Sequence, residues 1–407
     1  MSTVVIGAGA AGMMCASTAA MNGAEVLLLE RNDRCGRKLA ITGKGRCNLT
    51  NACSRDEFLK NVVSNPRFLY SALAAFSTED TVAHFEALGV PLKVERGNRV
   101  FPVSDKAADV VSALQRSCTD CGVEIRKGTA CEIVTKDGAV SGVRLSDGSV
   151  IPADRVVIAC GGMSYPVTGS DGSGFRMAQA CGHNIVPPRP SLVPWETQES
   201  DLCRSLQGLS LKNTALRVTT PEGKVVYSDF GEMMFTHFGV TGPMILSASA
   251  FLKTGMTLHL DLKPALTEEQ LDKRLLSDFE KYRLKNIGNA FDDLLPAKLI
   301  APFLALCGLD PLAKVHTITK AQRRIVLQTL KDLSLTALRP RPIAEAIVTS
   351  GGVDVSQVNP RTMESRLCKG LYFCGEVLDV DAYTGGFNLQ IAFSTGYLAG
   401  LSVADVR

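Results

Sequence analysis

Apolar and polar positions follow three different rhythms along this chain. At the start, the β-branched run Thr3 to Ile6 predicts a strand, and a small-residue apolar run after "GAGAAG" predicts a helix to about Met21. Asn22-Gly23 ends that helix, Val26 to Leu29 predicts a second strand, and Glu30 stands at its end. From "GVEIRKG" to "RVVIACGG" the residues alternate apolar and polar, and Asp-Gly pairs at 137–138 and 147–148 mark hairpin turns. Near the other end, Leu371 to Cys374 predicts a strand, and Gly385-Gly386 open a helix to about Leu401. Between about 190 and 345 the pattern changes. "RPSLVPW" reads as a proline-marked linker, the pieces from Leu209 to Leu262 as a small barrel or sandwich, and the stretch after them as helices, one starting at Thr267-Glu268-Glu269. The expectation is an α/β fold whose Rossmann-like domain is split, with 1–189 and 346–407 as its parts, a β-rich insert at 190–265, and a helical, basic insert at 266–345.

The first strand–turn–helix–strand carries chemistry. Gly7 permits a tight turn, Gly9 lets backbone approach a pyrophosphate, and Gly12 lets helix pack on strand. The helix then presents its first N–H groups to the anion. Glu30, 21 residues beyond Gly9, is placed to accept both ribose hydroxyls, which favours FAD or NAD over a 2′-phosphorylated cofactor. A glycine-rich turn without a ligand is the bland alternative. The β-meander, its closing strand and Gly161-Gly162 look like the FAD domain of the glutathione-reductase class, which implies adenine near Ala130. In such folds Gly375-Glu376 meets the ribityl and pyrophosphate, and the helix opened by Gly385-Gly386 points its N-terminus at the flavin. No second strand–GxGxxG–helix–acid unit follows, so NADH or NADPH is expected only as a transient reductant.

Bulk composition narrows the setting. The 407 residues are 45% hydrophobic and 21% charged, enough for a sizeable core. A net charge of +3 argues for no global field toward nucleic acid or membrane. Thirteen cysteines, an odd number in a long chain without a secretory leader, suggest free thiols in the cytoplasm. "CTDC" at Cys118 and Cys121 has zinc spacing but no second ligand pair, so no metal is expected. No apolar run reaches the ~18 residues of a spanning helix. Charge is local instead. Residues 311–341 carry Lys314, Lys320, Arg323, Arg324, Lys331, Arg339 and Arg341 against the single acid Asp332, a footprint for RNA phosphates or simply a solvated face.

The motifs "GAGAAG", "GRKLAITGKGRCNLTN", "GGMSYPVTGSDGSG", "GEMMFTHFGVTGP" and "GEVLDVDAYTGGFNLQIAF" together resemble, over essentially the whole chain, the flavoprotein family related to BaiN, aminoacetone oxidase and the ribosomal RNA dihydrouridine synthase RdsA. The resemblance implies one FAD, a split FAD domain, and an inserted barrel with helices. Carried onto this sequence, the implied cofactor contacts are Gly7, Gly9, Ala10, Ala11, Gly12, Glu30, Arg31, Arg37, Lys38, Thr42, Gly43, Gly45, Arg46, Cys47, Asn48, Ala130, Gly161, Gly162, Gly375, Glu376, Asp381, Gly385, Gly386, Asn388 and Leu389. Family members differ in activity: uracil reduction in large-subunit rRNA, bile-acid ring reduction, and oxidation of a small amine.

"LAITGKGRCNLTN", residues 39–51, passes the flavin in such folds. Reducing an activated C=C bond needs hydride from flavin to one carbon and a proton to its neighbour. Cys47, with a thiol of ordinary pKa ~8.5, is a candidate proton donor. The competing readings are a packed small hydrophobe or a loop residue without a proton role. Tyr165 and Tyr383 are alternative donors; His237 is an acid, a substrate contact or a structural hydrogen-bonder. The activity expected first is reduction of uracil in 23S rRNA. A small-molecule enoyl reductase or amine oxidase is the second reading, and an FAD-stabilised RNA-binding factor without turnover the third.

Overall fold

The computed structural model describes residues 2–405. Contacts divide the described chain into two compact units, one running up to Ser191 and resuming at Pro342, the other spanning Leu192–Arg341.

The first unit is built on a five-stranded parallel sheet. Its spatial order is Leu371–Phe373, Arg155–Ile158, Ser2–Ile6, Glu25–Glu30 and Glu124–Lys127. Strands from both ends of the sequence thus lie in one sheet. Val4, Val5, Val156 and Val157 are buried, as expected for β-branched runs covered on both faces. The first helix, Ala10–Met21, is apolar on every side and buries nine of its twelve residues. Alanines and glycines thin it enough for the last helix, Phe387–Val403, to pack closely. A Cβ at Gly396 would lie 2.5 Å from the Ala11 carbonyl oxygen. Three smaller antiparallel sheets complete the unit: Thr50–Asn51 with Arg99–Pro102 and Leu92–Glu95, the meander Ala130–Lys136, Ala139–Leu145 and Val150–Pro152, and the pair Ile185–Ser191 with Val348–Val353.

The second unit is a closed six-stranded barrel. Around it run Trp195–Thr197, Gly239–Thr241, Val225–Phe235, Ser210–Thr219, Thr257–Asp261 and Leu333–Pro340. The last strand pairs antiparallel with Thr257–Asp261 on one side and Trp195–Thr197 on the other. Residues 333–340, expected within the helical insert, are therefore the stave that closes the barrel. Their sequence alternates as a strand does, "LSLTALRP", with Leu333, Leu335 and Ala337 buried. Helices Glu268–Lys281, Ala297–Leu306 and Lys320–Lys331 are inserted between the final two staves. Capping boxes at Thr267 with Gln270, and at Thr319 with Gln322, start the first and third. The expected α/β Rossmann-type domain, split by a barrel and helices, is what the chain forms.

Candidate functional site

Three long helices of the first unit, Ala10–Met21, Ala107–Asp120 and Phe387–Val403, begin without a side-chain cap, and the first and last of them follow a glycine. The first starts after Gly9, above which a Cβ would meet nothing within 4 Å. The turn beneath is tight: Gly7 has φ 104°, and a Cβ on Gly12 would stand 1.8 Å from the Gly7 carbonyl oxygen. Glu30 pins this turn, its Oε2 accepting the Ala8 N–H at 2.9 Å. Its Oε1 accepts the Asn32 N–H at 2.8 Å and the Asn32 side-chain amide at 2.7 Å. Ala10 and Ala11 form the first helical turn, and a Cβ on Gly375 would lie 2.7 Å from the Ala11 methyl.

The last helix begins after Gly386, which sits at φ 102° with no side-chain cap. Here the 39–51 stretch arrives. A Cβ on Gly386 would lie 2.3 Å from the Thr50 carbonyl oxygen, and Asn51 donates its amide to the Gly385 carbonyl at 3.0 Å. Thr50 donates to Gln390 at 2.6 Å. Asn388 holds the approach from within, accepting the Ala382 N–H and donating to the Ala382 carbonyl. Leu389 is half-buried in the same first turn. Asp381 is 1% exposed and receives three hydroxyls, from Ser64 at 2.6 Å, Ser191 at 2.9 Å and Ser350 at 3.2 Å. An expected cofactor contact, it instead faces serines inside the fold.

The same unit holds a charged clasp. Lys38 Nζ donates to Glu376 Oε2 at 2.5 Å and to Ser164 Oγ at 2.6 Å. Ser164 donates to Glu376 Oε1 at 3.0 Å, and the Thr349 N–H donates to the same oxygen at 2.8 Å. Thr349 Oγ1 accepts the N–H groups of Met163 and Ser164 and crowds Gly162, where a Cβ would fall 2.4 Å away. Gly161 turns the chain at φ 72°. Sequence reading missed Ser164 and Thr349. Ser164 lies inside the quoted motif "GGMSYP"; Thr349 carries no local signal, because its role comes from a strand distant in sequence.

The stretch 42–48 departs most from expectation. The short helix opened by Arg37 breaks at Thr42, and Gly43, Lys44 and Gly45 follow in left-handed conformation. Cys47, also left-handed at φ 61°, has a side chain 0% exposed. Burial pushes its thiol up to about 12, opposed only by a hydrogen bond from Thr42. A thiol sealed in the core reaches no substrate, so the proton-donor expectation for Cys47 is corrected to that of a packed small hydrophobe. Arg46 turns away as well. Its guanidinium pairs with Glu95 at 2.5 Å and Asp105 at 2.6 Å and lies over the Phe101 ring at 4.2 Å. It fastens the stretch to the neighbouring sheet rather than facing a cofactor. Asn48 does keep an open valence: its Oδ1 is buried without a hydrogen-bond partner.

Other expected residues scatter more widely. Arg31 pairs with Asp171 at 2.7 Å. Burial works against that carboxylate's charge, yet Arg31 and Ser173 hold it down at about 2. Arg37 donates to Asn32 Oδ1. Ala130 is buried at the start of the meander. Tyr165 is half-buried and left-handed at φ 51°; Tyr383 is half-buried just before Gly385. His237 belongs to the second unit, in an exposed turn between two barrel strands, edge-on to Phe238 at 5.0 Å.

The basic segment is largely paired internally. Arg323 meets Asp272, Lys331 meets Asp261, and both Arg339 and Arg341 meet Glu196, at 2.5 to 2.9 Å. Lys314 donates to Asn286. Lys320 and Arg324 are exposed on the third inserted helix, with no ion pair among the described residues. Four of the seven cations are thus paired with three acids from elsewhere, which halves the excess charge of the segment.

The family model described as the HI0933-like protein Rossmann domain matches residues 1–402. The chain is 32% identical to a 3-dehydro-bile acid delta(4,6)-reductase of Clostridium scindens, covering 98% of each chain. It is 30% identical to a ribosomal RNA dihydrouridine synthase of Haemophilus influenzae, again covering 98% of each. A solved 3-ketosteroid-delta4-(5alpha)-dehydrogenase from Rhodococcus jostii is similar in fold, with a TM-score of 0.55 at 17% identity, covering 99% of this chain and 96% of that one. No helix among the described residues is long and apolar enough to cross a membrane.

Proposed function

The chain belongs to the HI0933-like family of Rossmann-domain oxidoreductases, and on that premise we propose that it is an FAD-dependent reductase of a C=C bond conjugated to a carbonyl. The observation that carries this reading is the pair of uncapped helix N-termini that follow glycines, Gly9 and Gly386, in the unit that also holds the Lys38–Glu376 clasp. Such ends favour negative charge, one suiting a pyrophosphate and the other the electron-rich edge of a reduced flavin. The unpartnered Asn48 Oδ1 and the open space above Gly9 fit the same group.

Bound FAD supplies hydride chemistry, with NADH or NADPH proposed as the transient source of electrons. The protein's own contribution is to hold and orient. On this reading Glu30 would meet the ribose hydroxyls, and Gly161, Gly162 and Glu376 would hold the chain between ribose and ring. Gly43 and Gly45 shape the 39–51 turn. The proton for the second carbon falls to the phenol of Tyr383, beside the glycines that open the last helix, or to that of Tyr165.

Uracil in ribosomal RNA is the first candidate substrate. Dihydrouridine and a reduced bile-acid ring arise by the same reaction, saturation of a C=C bond next to a carbonyl, and relatives named for each are equally similar to this chain. Lys320 and Arg324 support an RNA contact, and an rRNA substrate implies a cytoplasmic enzyme. The bile-acid relative supports a second reading, a small-molecule enoyl reductase.

The test has two steps. The purified protein should be yellow, release FAD on denaturation, and lose its flavin absorbance on addition of NADH or NADPH under nitrogen. Dihydrouridine in 23S rRNA should then fall in a deletion strain and return with the wild-type gene. Unchanged dihydrouridine together with turnover of a 3-oxo-4-ene steroid would select the small-molecule reading. A colourless protein that takes up no FAD would end both.

A further inference from the structure

All thirteen cysteines are free thiols. Two of them meet from the two parts of the first unit, which the second unit separates in sequence. Cys181 follows the helix Ser173–Ala180, and Cys368 lies in the turn before the strand Leu371–Phe373. Their segments are fastened together by His183, whose Nε2 is 2.9 Å from Ser365 Oγ and whose ring stands edge-on to Phe373 at 4.8 Å. Ser365 Oγ also accepts the N–H groups of Leu367 and Cys368, at 3.0 and 2.9 Å, which fixes the turn. One residue beyond His183, the Asn184 N–H donates to Gln357 at 2.8 Å. On this frame the two side chains touch, the Cys181 S–H donating to the Cys368 sulfur.

A second pair, Cys15 and Cys374, is also joined sulfur to sulfur, but both residues are 0% exposed. Cys181 is half-buried and Cys368 is 4% exposed, so of the two pairs this is the one that touches solvent. The contact also divides the protons unequally. Donating to Cys368, with burial added, pushes the Cys181 thiol above the ordinary cysteine range, while accepting that bond pulls Cys368 down against its own burial. Cys368 is therefore the sulfur that carries thiolate character, the form that attacks an oxidant, and a second thiol stands against it to complete a disulfide.

We propose that Cys181 and Cys368 are a redox modification site, at which hydrogen peroxide forms a reversible disulfide that staples the two parts of the first unit together.

The reaction balances on the two thiols and one peroxide. The Cys368 sulfur attacks a peroxide oxygen, the O–O bond breaks, and the departing hydroxide leaves as water with the Cys181 proton. The Cys181 sulfur then attacks the Cys368 sulfenic acid. The S–S bond forms, the S–O bond breaks, and the hydroxyl leaves as a second water with the remaining proton. Both sulfurs are oxidised and the peroxide is reduced. The closed loop holds about 190 residues, the whole second unit included, and so confines the unfolded chain strongly. The proposal is independent of the flavin reading, since neither thiol is assigned to the cofactor.

The purified full-length protein, reduced with dithiothreitol and desalted, is treated with hydrogen peroxide, alkylated, digested without reductant and mapped by mass spectrometry. A peptide pair linked through Cys181 and Cys368 should dominate the map and vanish on renewed reduction, while Cys15 and Cys374 stay unlinked. The urea midpoint of the oxidised protein should rise by on the order of 1 M and return with dithiothreitol. Cys181→Ala and Cys368→Ser should each abolish the linked pair and the shift. Reduced, both variants should unfold near the reduced wild type, which separates a lost disulfide from a lost fold; should either fold poorly, the wild-type map decides alone. Two unlinked thiols after peroxide, a link at Cys15–Cys374 in equal amount, or a linked pair without any rise in midpoint would overturn the proposal and leave two packed side chains.

Discussion

Lys38 Nζ and Glu376 Oε2 lie 2.5 Å apart although 338 residues separate them in sequence, and each side chain is less than a quarter exposed. The pair joins the 37–45 segment to the turn after the last sheet strand, with Ser164 and Thr349 completing its hydrogen bonds. Removing one member leaves the other charge half-buried. Lys38→Met should therefore destabilise the protein by about 2 kcal/mol in urea unfolding, and Glu376→Gln by less, because the amide still accepts from Ser164 and Thr349. Both should lower flavin content as purified. An unfolding midpoint unchanged in Lys38→Met would show that the clasp contributes nothing.

Gly386 allows the last helix to begin against Thr50. A methyl there would stand 2.3 Å from a carbonyl oxygen at a φ of 102°. Gly386→Ala should cost on the order of 3 kcal/mol and strip the cofactor, whereas Gly89→Ala, also left-handed but in open space, should cost only about 1 kcal/mol. Comparable midpoints for the two variants would contradict the close approach.

Buried thiols set an alkaline limit. Cys47 and Cys118 are both 0% exposed and both pushed up to about 12, mainly by burial. Below pH 9 they are protonated in folded and unfolded chains alike and have no effect on stability. Above 9 the unfolded chain releases these protons while the folded one keeps them, so stability falls as pH rises toward 12, by about 1.4 kcal/mol per pH unit per thiol. Urea midpoints measured from pH 8 to 11 check this, and Cys47→Ala should flatten the slope. The same variant should keep the neutral-pH activity profile of the wild type, because the thiol takes no part in proton transfer.

Lys320 and Arg324 are exposed cations of the basic segment with no ion pair among the described residues, and the proposed RNA contact rests on them. Replacing each by Ala should reduce RNA affinity uniformly across sequences and lower the salt slope by about one per residue. Arg323→Ala and Lys331→Ala break internal pairs with Asp272 and Asp261, and should lower thermal stability before they alter RNA binding. Binding to a 23S rRNA fragment at several salt concentrations, beside thermal unfolding, separates the two classes.

Much of this protein was legible without its structure, because the signals are local. The β-branched runs, Gly7, Gly9 and Gly12, the Asp-Gly turns and the capping Thr267 each act within a few residues of themselves, so the Rossmann unit, the meander and the helix starts can be read along the chain. A barrel stave was harder: residues 333–340 follow three helices, and the alternation in "LSLTALRP" is too short to announce a partner as distant as Trp195–Thr197.

What the tertiary structure alone decided is where charges and polar atoms end up. The sequence supplied Cys47 beside Arg46 in a glycine-bracketed turn, a chemically suggestive triplet. Folding turned the thiol into the core and the guanidinium onto Glu95 and Asp105. It likewise cancelled half of the 311–341 charge with Asp272, Asp261 and Glu196, and it set Lys38 against Glu376. Backbone conformation follows from neighbours in sequence, whereas burial and pairing depend on neighbours in space, and only the folded chain brings those together.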